Sequence, residues 1–145
     1  MKTTKKVVGI FLISLFILSS CGKYEDGPKI SVLPKSVRLA GTWTVEKLLY
    51  DGLDNEIGFA LVKDMELTLE SDGTGSISMW GFDGIVEWEL TSKKENFSIR
   101  INMGGGWDAW GESNILRLTN KEFWVSETAT DGTGIHTIET HYVKQ

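Results

Sequence analysis

Residues 64–80 read DMELTLESDGTGSISMW, and this stretch decides the fold. Apolar and polar residues alternate over 64–70, a period of two that is typical of a strand with one buried face. The next four residues, 71–74, contain Asp-Gly, the strongest short signal for a hairpin turn. Alternation then resumes over 75–80. The stretch therefore predicts two antiparallel strands joined by a tight turn.

The same alternation continues on both sides of this hairpin. Further segments with a period of two lie at 42–50, 84–90, 97–102, 116–118, 123–125 and 138–142. Only 53–63 is ambiguous between a loop and a short helix. Eight sequential strands lose their exposed edges when they close into a barrel. We expect an all-β, eight-stranded antiparallel up-and-down barrel, with a two-sheet sandwich as the alternative.

A short motif opens the first strand. Gly41 and Trp43 stand two residues apart and resemble the G-x-W motif of lipocalins, in particular the lipocalin-like domains of bacterial lipoproteins. The resemblance implies that Gly41 permits a tight entry and that Trp43 plugs the closed end of the barrel, often beside an arginine. The second lipocalin motif, Thr-Asp-Tyr, is absent, and Lys144 occupies the place expected for arginine. The resemblance covers 38–145 in architecture only.

The N-terminal region resembles the leader of a bacterial lipoprotein. Three lysines within the first six residues precede an uncharged apolar run at 7–18. Such a run has the length of a signal-peptide core and is too short for a membrane-spanning helix. The run ends in LSSC at 18–21, which matches a lipobox, and Cys21 is the only cysteine. The resemblance implies a signal peptide at 1–20, cleavage before Cys21, and fatty acyl chains such as palmitate on that residue.

The segment after the lipobox is polar or chain-breaking and predicts a lipidated tether at 21–36, followed by the barrel domain at 37–145. The charged cluster at 23–26 is similar to surface-export signals of some Gram-negative lipoproteins, although a solvated linker explains it equally well. We therefore expect an outer-membrane lipoprotein of the cell envelope. The lipid on Cys21 would hold it in the membrane, facing the periplasm or the surface.

The net charge and the cysteine content restrict the classes of binding partner and the ways in which the domain can be stabilised. Cleavage would remove three of the 15 basic residues and none of the 20 acidic ones, so the net charge falls from −5 to −8. An acidic surface repels phosphate backbones, which argues against nucleic acid as a partner. A single cysteine cannot form an intrachain disulfide, so packing must stabilise the domain, and six Trp and six Phe provide apolar surface for it.

Signals for catalysis are weak. The two histidines, His136 and His141, are five residues apart on one predicted strand and should face opposite sides of the sheet. The tetrapeptide Asp-Gly-Thr-Gly occurs at 72–75 and at 131–134, and turn chemistry explains both copies. We expect no enzyme, no bound metal and no cofactor.

The most unusual segment is the glycine-rich stretch 103–111, with Trp107 and Trp110 three residues apart. We interpret it as a mobile rim that closes over an apolar or sugar ligand, with Trp80 and Phe82 contributing from another connection. The alternative is a loop whose tryptophans fold back to cap the barrel end. The expected function is an envelope-anchored binding module for a small apolar or amphipathic ligand. A structural lipoprotein with a filled barrel and an envelope protein partner is the alternative.

Overall fold

The computed structural model describes residues 33–145. The predicted signal peptide, Cys21 and the tether up to residue 32 lie outside this range. The strands are β1 (Gly41–Tyr50), β2 (Leu53–Asp54), β3 (Glu66–Leu69), β4 (Thr74–Met79), β5 (Phe82–Thr91), β6 (Asn96–Asn102), β7 (Gly111–Leu118), β8 (Glu122–Asp131) and β9 (Gly134–Lys144). The helices are α1 (Lys35–Leu39) and α2 (Glu56–Val62), and a single turn covers Ser92–Lys94. Within the described range, no helix has the length and apolar character needed to cross a membrane.

Eight of the strands form a closed antiparallel barrel. Each strand from β3 to β8 pairs with the next one along the chain, and β1 pairs with both β3 and β9. The closing pair runs from Trp43 opposite Lys144 to Tyr50 opposite Ile138. The short strand β2 pairs with the end of β1 and takes no part in closure. The prediction of an eight-stranded up-and-down barrel is confirmed.

The alternating apolar residues fill the barrel interior at the end where Trp43 lies. An aromatic cluster lies at its centre, where the Phe123 ring is 5.0 Å from Phe97, 5.6 Å from Tyr142 and 5.7 Å from Trp43 between centroids. The buried apolar residues are Leu39, Trp43, Val45, Met65, Leu67, Leu69, Ile77, Val86, Trp88, Phe97, Ile115, Leu118, Phe123 and Val125.

One end of the barrel is closed by α1 and the start of β1. Trp43 is fully buried there, and its Nε1 donates to the carbonyl of Leu39 at 2.7 Å. Lys144 lies over the Trp43 ring, with Nζ 4.6 Å from its centroid, and donates to the carbonyls of Arg38 and Ala40 at 2.9 and 2.6 Å. One ammonium group therefore packs against the tryptophan and satisfies backbone oxygens at the end of α1.

Arg38 and Gly41 complete the closed end. Arg38 is buried and donates to the carbonyl of Leu118 at 2.6 Å, which joins α1 to β7. Gly41 has φ +134°, and a Cβ at this position would lie 3.0 Å from Cε of Lys144. The positive φ therefore favours glycine where the chain leaves α1 for β1, and a larger residue would also displace the end of the Lys144 side chain.

The observed elements extend the predicted ones at the opposite, open end. The strand β8 continues to Asp131, well beyond the predicted 123–125. The strand β9 already begins at Gly134, well before the predicted 138–142. Apolar alternation fades after Val125, but the β8–β9 pairing continues to the turn. Hydrogen bonding between strands does not require apolar side chains, so the hydrophobic pattern underestimates their length. The ambiguous segment 53–63 contains β2 and α2.

Candidate functional site

The half of the barrel nearer the open end encloses a cavity of about 150 Å³. It is an interior space, because its lining residues take the inward positions of the strands on both sides of the barrel. Eight lining residues are apolar, and they are Met65, Leu67, Ile77, Phe97, Ile99, Ile101, Val125 and Ile138. A mainly apolar concavity with a few polar groups is the usual form of a small-molecule site.

Four polar side chains share this cavity: Ser113, Glu127, Thr140 and Tyr142. Within residues 33–145, none of the four makes a side-chain hydrogen bond or an ion pair with the rest of the protein. Burial raises the pKa of Tyr142 to about 12, and the negative charge of Glu127 adds to this shift. The cavity thus holds a neutral phenol and a carboxylate whose hydrogen-bonding capacity is unused.

The helix α2 lies across part of the open end. Its Phe59 and Val62 pack against the buried core, and a Cβ at Gly58 would lie 2.8 Å from Cδ2 of Leu48 on β1. Asn55 caps the helix by accepting from the backbone N–H of Gly58 at 2.9 Å. This cap and the apolar contacts explain why a segment without clear periodicity forms a helix. The helix therefore narrows the route into the cavity from one side.

Trp80 fastens α2 to the β4–β5 turn. Trp80 and Gly81 form a two-residue hairpin turn with φ values of +55° and +80°. A positive φ is uncommon for a bulky side chain and carries strain, since Asn or Gly is preferred there. The indole Nε1 donates to the carbonyl of Leu61 at 2.8 Å, near the end of α2. The turn therefore holds a strained residue whose side chain anchors the helix.

A polar network joins three strands on another side of the open end. His136 Nδ1 lies 2.7 Å from Oδ2 of Asp51, and its Nε2 lies 2.8 Å from Oγ1 of Thr133. The Thr133 hydroxyl donates to Oδ1 of Asp131 at 2.6 Å. The Tyr50 ring stacks on the imidazole with centroids 4.8 Å apart. The network ties the ends of β1 and β8 to the start of β9.

Both ring nitrogens of His136 have hydrogen-bond partners. Nδ1 bonds to the carboxylate of Asp51, and Nε2 bonds to the Thr133 hydroxyl, which itself donates to Asp131. The bond to Asp51 raises the pKa of His136, and the Thr133 hydroxyl lowers the pKa of Asp131 to about 2. The neighbouring carboxylates therefore favour the protonated form of the imidazole.

The order Thr133, His136, Asp51 matches that of a nucleophile, a base and an orienting acid. A general base needs an unprotonated ring nitrogen, whereas the bond to Asp51 raises the pKa of His136 and favours the cation. The contacts fit an ion-pair network that ties the ends of three strands together. Sequence reasoning missed it because Asp51 and His136 lie 85 positions apart. The repeated Asp-Gly-Thr-Gly was its only local signal.

His141 faces away from this network, as the spacing predicts. It is buried under the outer surface, where its ring stacks on Trp124 with centroids 4.0 Å apart and a 2° tilt. It also bonds to Glu139. The two histidines serve separate contacts on opposite sides of β9, and within residues 33–145 no cluster of three or more suitable side chains could hold a metal ion.

Trp107 and Trp110 are not among the residues that line the cavity. Both rings pack on the guanidinium of Arg100, at 4.7 and 5.0 Å from their centroids. Arg100 points outward, because the neighbouring Ile99 and Ile101 line the cavity, and it pairs with Glu87 on β5. The loop therefore folds over the outside of the barrel, where the guanidinium attracts both aromatic faces.

The backbone of this loop is also fixed. Asn102 Oδ1 accepts from the N–H groups of Gly104 and Gly106 at 2.8 and 3.3 Å, and Asp108 N–H donates to the carbonyl of Ile101 at 2.9 Å. Glycine can adopt the positive φ values that such a tight bend demands. The loop is a fold-back structure with its own bonds, unlike a free rim.

The other two predicted ligand residues, Trp80 and Phe82, do lie at the open end. Neither is among the cavity-lining residues, and both are largely exposed, with 65% and 67% of their surface accessible. Trp80 acts on the cavity indirectly through α2, and Phe82 follows the turn on β5. A ligand-binding role for these four aromatic residues stays a prediction.

These features define a class of protein, a closed eight-stranded antiparallel barrel with a plugged end and a small interior cavity near its open end. No known family model matches the chain, and no curated protein matches it as a relative.

Proposed function

We propose that this protein is an envelope lipoprotein, anchored through Cys21, whose barrel binds a small apolar or amphipathic ligand in its interior cavity. The single observation that carries the binding proposal is the cavity of about 150 Å³, with apolar walls and four unused polar side chains. Unused polar groups are costly in a packed core but are expected where a ligand or water completes their bonding.

The closed end supports a lipocalin-like architecture. Gly41 and Trp43, which carry the resemblance, lie where the motif is expected to act, and Lys144 takes the place of the arginine over the indole. With one end plugged, a ligand must enter at the other end, beside α2. This arrangement, with a single entrance to the interior, fits a binding module better than a channel.

A structural or protein-interaction lipoprotein is the second candidate. The cavity is small, and several large apolar side chains are exposed near the open end, namely Leu53, Ile57, Leu61, Trp80 and Phe82. Clustered apolar surface often marks a contact with another protein. In this candidate the barrel is a filled scaffold and its open end meets an envelope partner.

A native mass spectrum of the purified protein separates the two candidates. Binding predicts a retained small molecule that unfolding releases, whereas a filled scaffold predicts the bare chain mass alone. Replacing Ile99 with Trp, which fills the cavity from β6, should abolish the adduct. An adduct that survives this substitution would place the ligand elsewhere.

The anchor has its own test. Cys21→Ser should leave the protein without lipid and processed poorly or not at all, because no other cysteine can accept the diacylglyceryl group. Partitioning into detergent and the mass of the mature N-terminus report the result. A properly processed variant that still partitions into detergent would disprove the tether.

A further inference from the structure

Glu127 gives the cavity a negative end. It stands on β8 at an inward position, opposite Ile138, with the pairs Val125–Thr140 and Phe123–Tyr142 below it toward the closed end. All but Phe123 line the cavity. The carboxylate therefore marks the open side of the cavity, and the deeper wall is mainly apolar, with the hydroxyl groups of Thr140 and Tyr142.

Nothing within residues 33–145 neutralises this carboxylate. Glu127 has no ion pair or hydrogen bond there, and no Lys or Arg lines the cavity. His136, two residues before Ile138 on β9, bonds through its two ring nitrogens to Asp51 and Thr133. The interior cations Arg38 and Lys144 are engaged at the closed end. A carboxylate beside an apolar cavity is completed best by a cationic or hydrogen-bond-donating group.

We infer that the ligand is a small amphiphile with a protonated amine at one end, bound with its apolar part in the cavity and its ammonium group on Glu127. This inference rests on the proposed binding function and deepens it by naming the ligand class. The Tyr142 hydroxyl, deeper in the same cavity, can accept a bond from a donor or give one to an acceptor.

Size limits the apolar part. An apolar cavity of about 150 Å³ holds roughly one benzene ring. A single ring or a short alkyl chain therefore fits, whereas a full-length fatty acyl chain does not. A fatty acid is also disfavoured at its other end, because its carboxylate would face the like charge of Glu127 at the solvent-exposed mouth of the cavity.

Three probes that share one ring test the inference. Benzylamine, benzyl alcohol and benzoate present a cation, a neutral group and an anion at neutral pH. The lipidated protein in phospholipid nanodiscs would be titrated with each probe by ligand-observed NMR, with empty nanodiscs as the reference. Benzylamine should bind about tenfold more tightly than benzyl alcohol, the usual gain from a charge-assisted hydrogen bond, and benzoate should bind most weakly.

Two variants show whether Glu127 is responsible. Glu127→Gln keeps the shape and removes the charge, and it should make benzylamine and benzyl alcohol bind alike. Glu89→Gln is the matched control, since Glu89 is exposed on β5 and does not line the cavity, and it should keep the preference for the amine.

The outcomes separate the two levels of the proposal. Equal binding of the three probes, or an amine preference that survives Glu127→Gln, overturns the ligand class and leaves the binding function standing. Absence of binding for all three probes overturns both. A preference for benzylamine that disappears only in Glu127→Gln supports both.

Discussion

The two ends of the barrel use the same eight strands but differ in how their polar groups are satisfied. At the closed end, Trp43 donates to Leu39, and Lys144 donates to two carbonyl oxygens beside the same ring. Around the cavity, Glu127 and Tyr142 make no side-chain hydrogen bond within the described part of the chain. The protein itself bonds the polar groups beside Trp43, and it leaves those of the cavity available.

This difference between the two ends indicates which one stabilises the fold and which one can bind a ligand. Fully buried groups with satisfied bonds contribute most to the free energy of unfolding, whereas unused polar groups beside a cavity contribute little or oppose folding. The closed end therefore holds the fold together, and the open end is left free to accept a ligand. Substitutions at matched positions can test this division.

The largest effect is expected for Trp43→Ala. Removing a fully buried indole should cost about 3–5 kcal/mol, from lost transfer energy and the cavity left behind. Small domains have about 5–15 kcal/mol of stability in total, so the variant should be marginal. Urea midpoints measure the loss.

Trp107→Ala is the matched comparison. Trp107 is about two-fifths exposed and packs on Arg100, so its loss should cost about 1 kcal/mol or less. Equal destabilisation by the two substitutions would mean that the glycine-rich loop belongs to the core. If Trp43→Ala is nearly neutral, Trp43 does not act as a plug. The lipocalin resemblance would then lose its main support.

Two glycines offer a second comparison. Gly41→Ala forces an unfavourable φ beside Lys144 and should cost about 1–3 kcal/mol. Gly105→Ala, in the loop at the open end, meets no atom within 4 Å and has no positive φ, so it should be neutral or slightly stabilising. Thermal or urea unfolding of both variants gives the answer. A destabilising Gly105→Ala would show that the loop is packed more tightly than the contacts indicate.

Trp80→Asn should separate local from global stability. Asn suits a positive φ, so relief of strain worth about 1 kcal/mol offsets the lost bond to Leu61, worth about the same, and the urea midpoint should stay nearly unchanged. Amide exchange of α2, reported by Phe59 and Lys63, should become about fivefold faster because local opening is easier.

Trp110→Asn is the control for that experiment, since Trp110 lies on Arg100 outside the barrel. Exchange in α2 should not change in this variant. Unchanged exchange in Trp80→Asn as well would show that α2 is held by its apolar contacts alone.

The smallest effect concerns pH. The bond to Asp51 raises the pKa of His136, so its contribution to stability is fully present below the unfolded value of about 6.5 and is lost as pH rises through the folded value. Asp51, Asp131 and Tyr50 are the titratable groups that face the ring, and the pKa values of both aspartates are lowered. The destabilisation caused by His136→Gln should therefore be larger at about pH 5.5 than at about pH 8.5.

The other Asp-Gly-Thr-Gly turn supplies the control. The Thr74 hydroxyl lowers the pKa of Asp72, so this carboxylate stays ionised at both values of pH. The effect of Asp72→Asn on the urea midpoint should therefore be the same at each pH. A His136→Gln effect that is independent of pH would contradict a protonated imidazole.

Much of the fold could be predicted from the sequence, because alternation along a strand is a local pattern. The segment 64–80 encodes both its strands and its turn, and six further alternating segments complete the eight strands of the barrel. The cavity could not be predicted in the same way. Glu127 looks like an ordinary polar residue at the end of a strand, and only the continued pairing with β9 turns it inward.

The glycine-rich loop shows the same limit. Its sequence indicates flexibility and two apolar rings, which suggested a mobile rim. The decisive partner is Arg100 on the outward face of β6, and a cation near two aromatic rings holds the loop on the outside. Which side of a sheet a loop will pack against depends on residues outside the loop.

The two Asp-Gly-Thr-Gly turns show what the local sequence determines and what only the tertiary structure decides. In each copy, the aspartate Oδ1 accepts from the threonine N–H and hydroxyl, at 3.0 and 2.7 Å from Asp72 and at 2.7 and 2.6 Å from Asp131. Four residues suffice for these bonds, so the sequence alone determined both turns. Only the second turn meets His136 and Asp51, because closure of β1 on β9 brings residues 85 positions apart into contact. Local sequence fixes short-range hydrogen bonds, whereas barrel closure decides which distant charges meet.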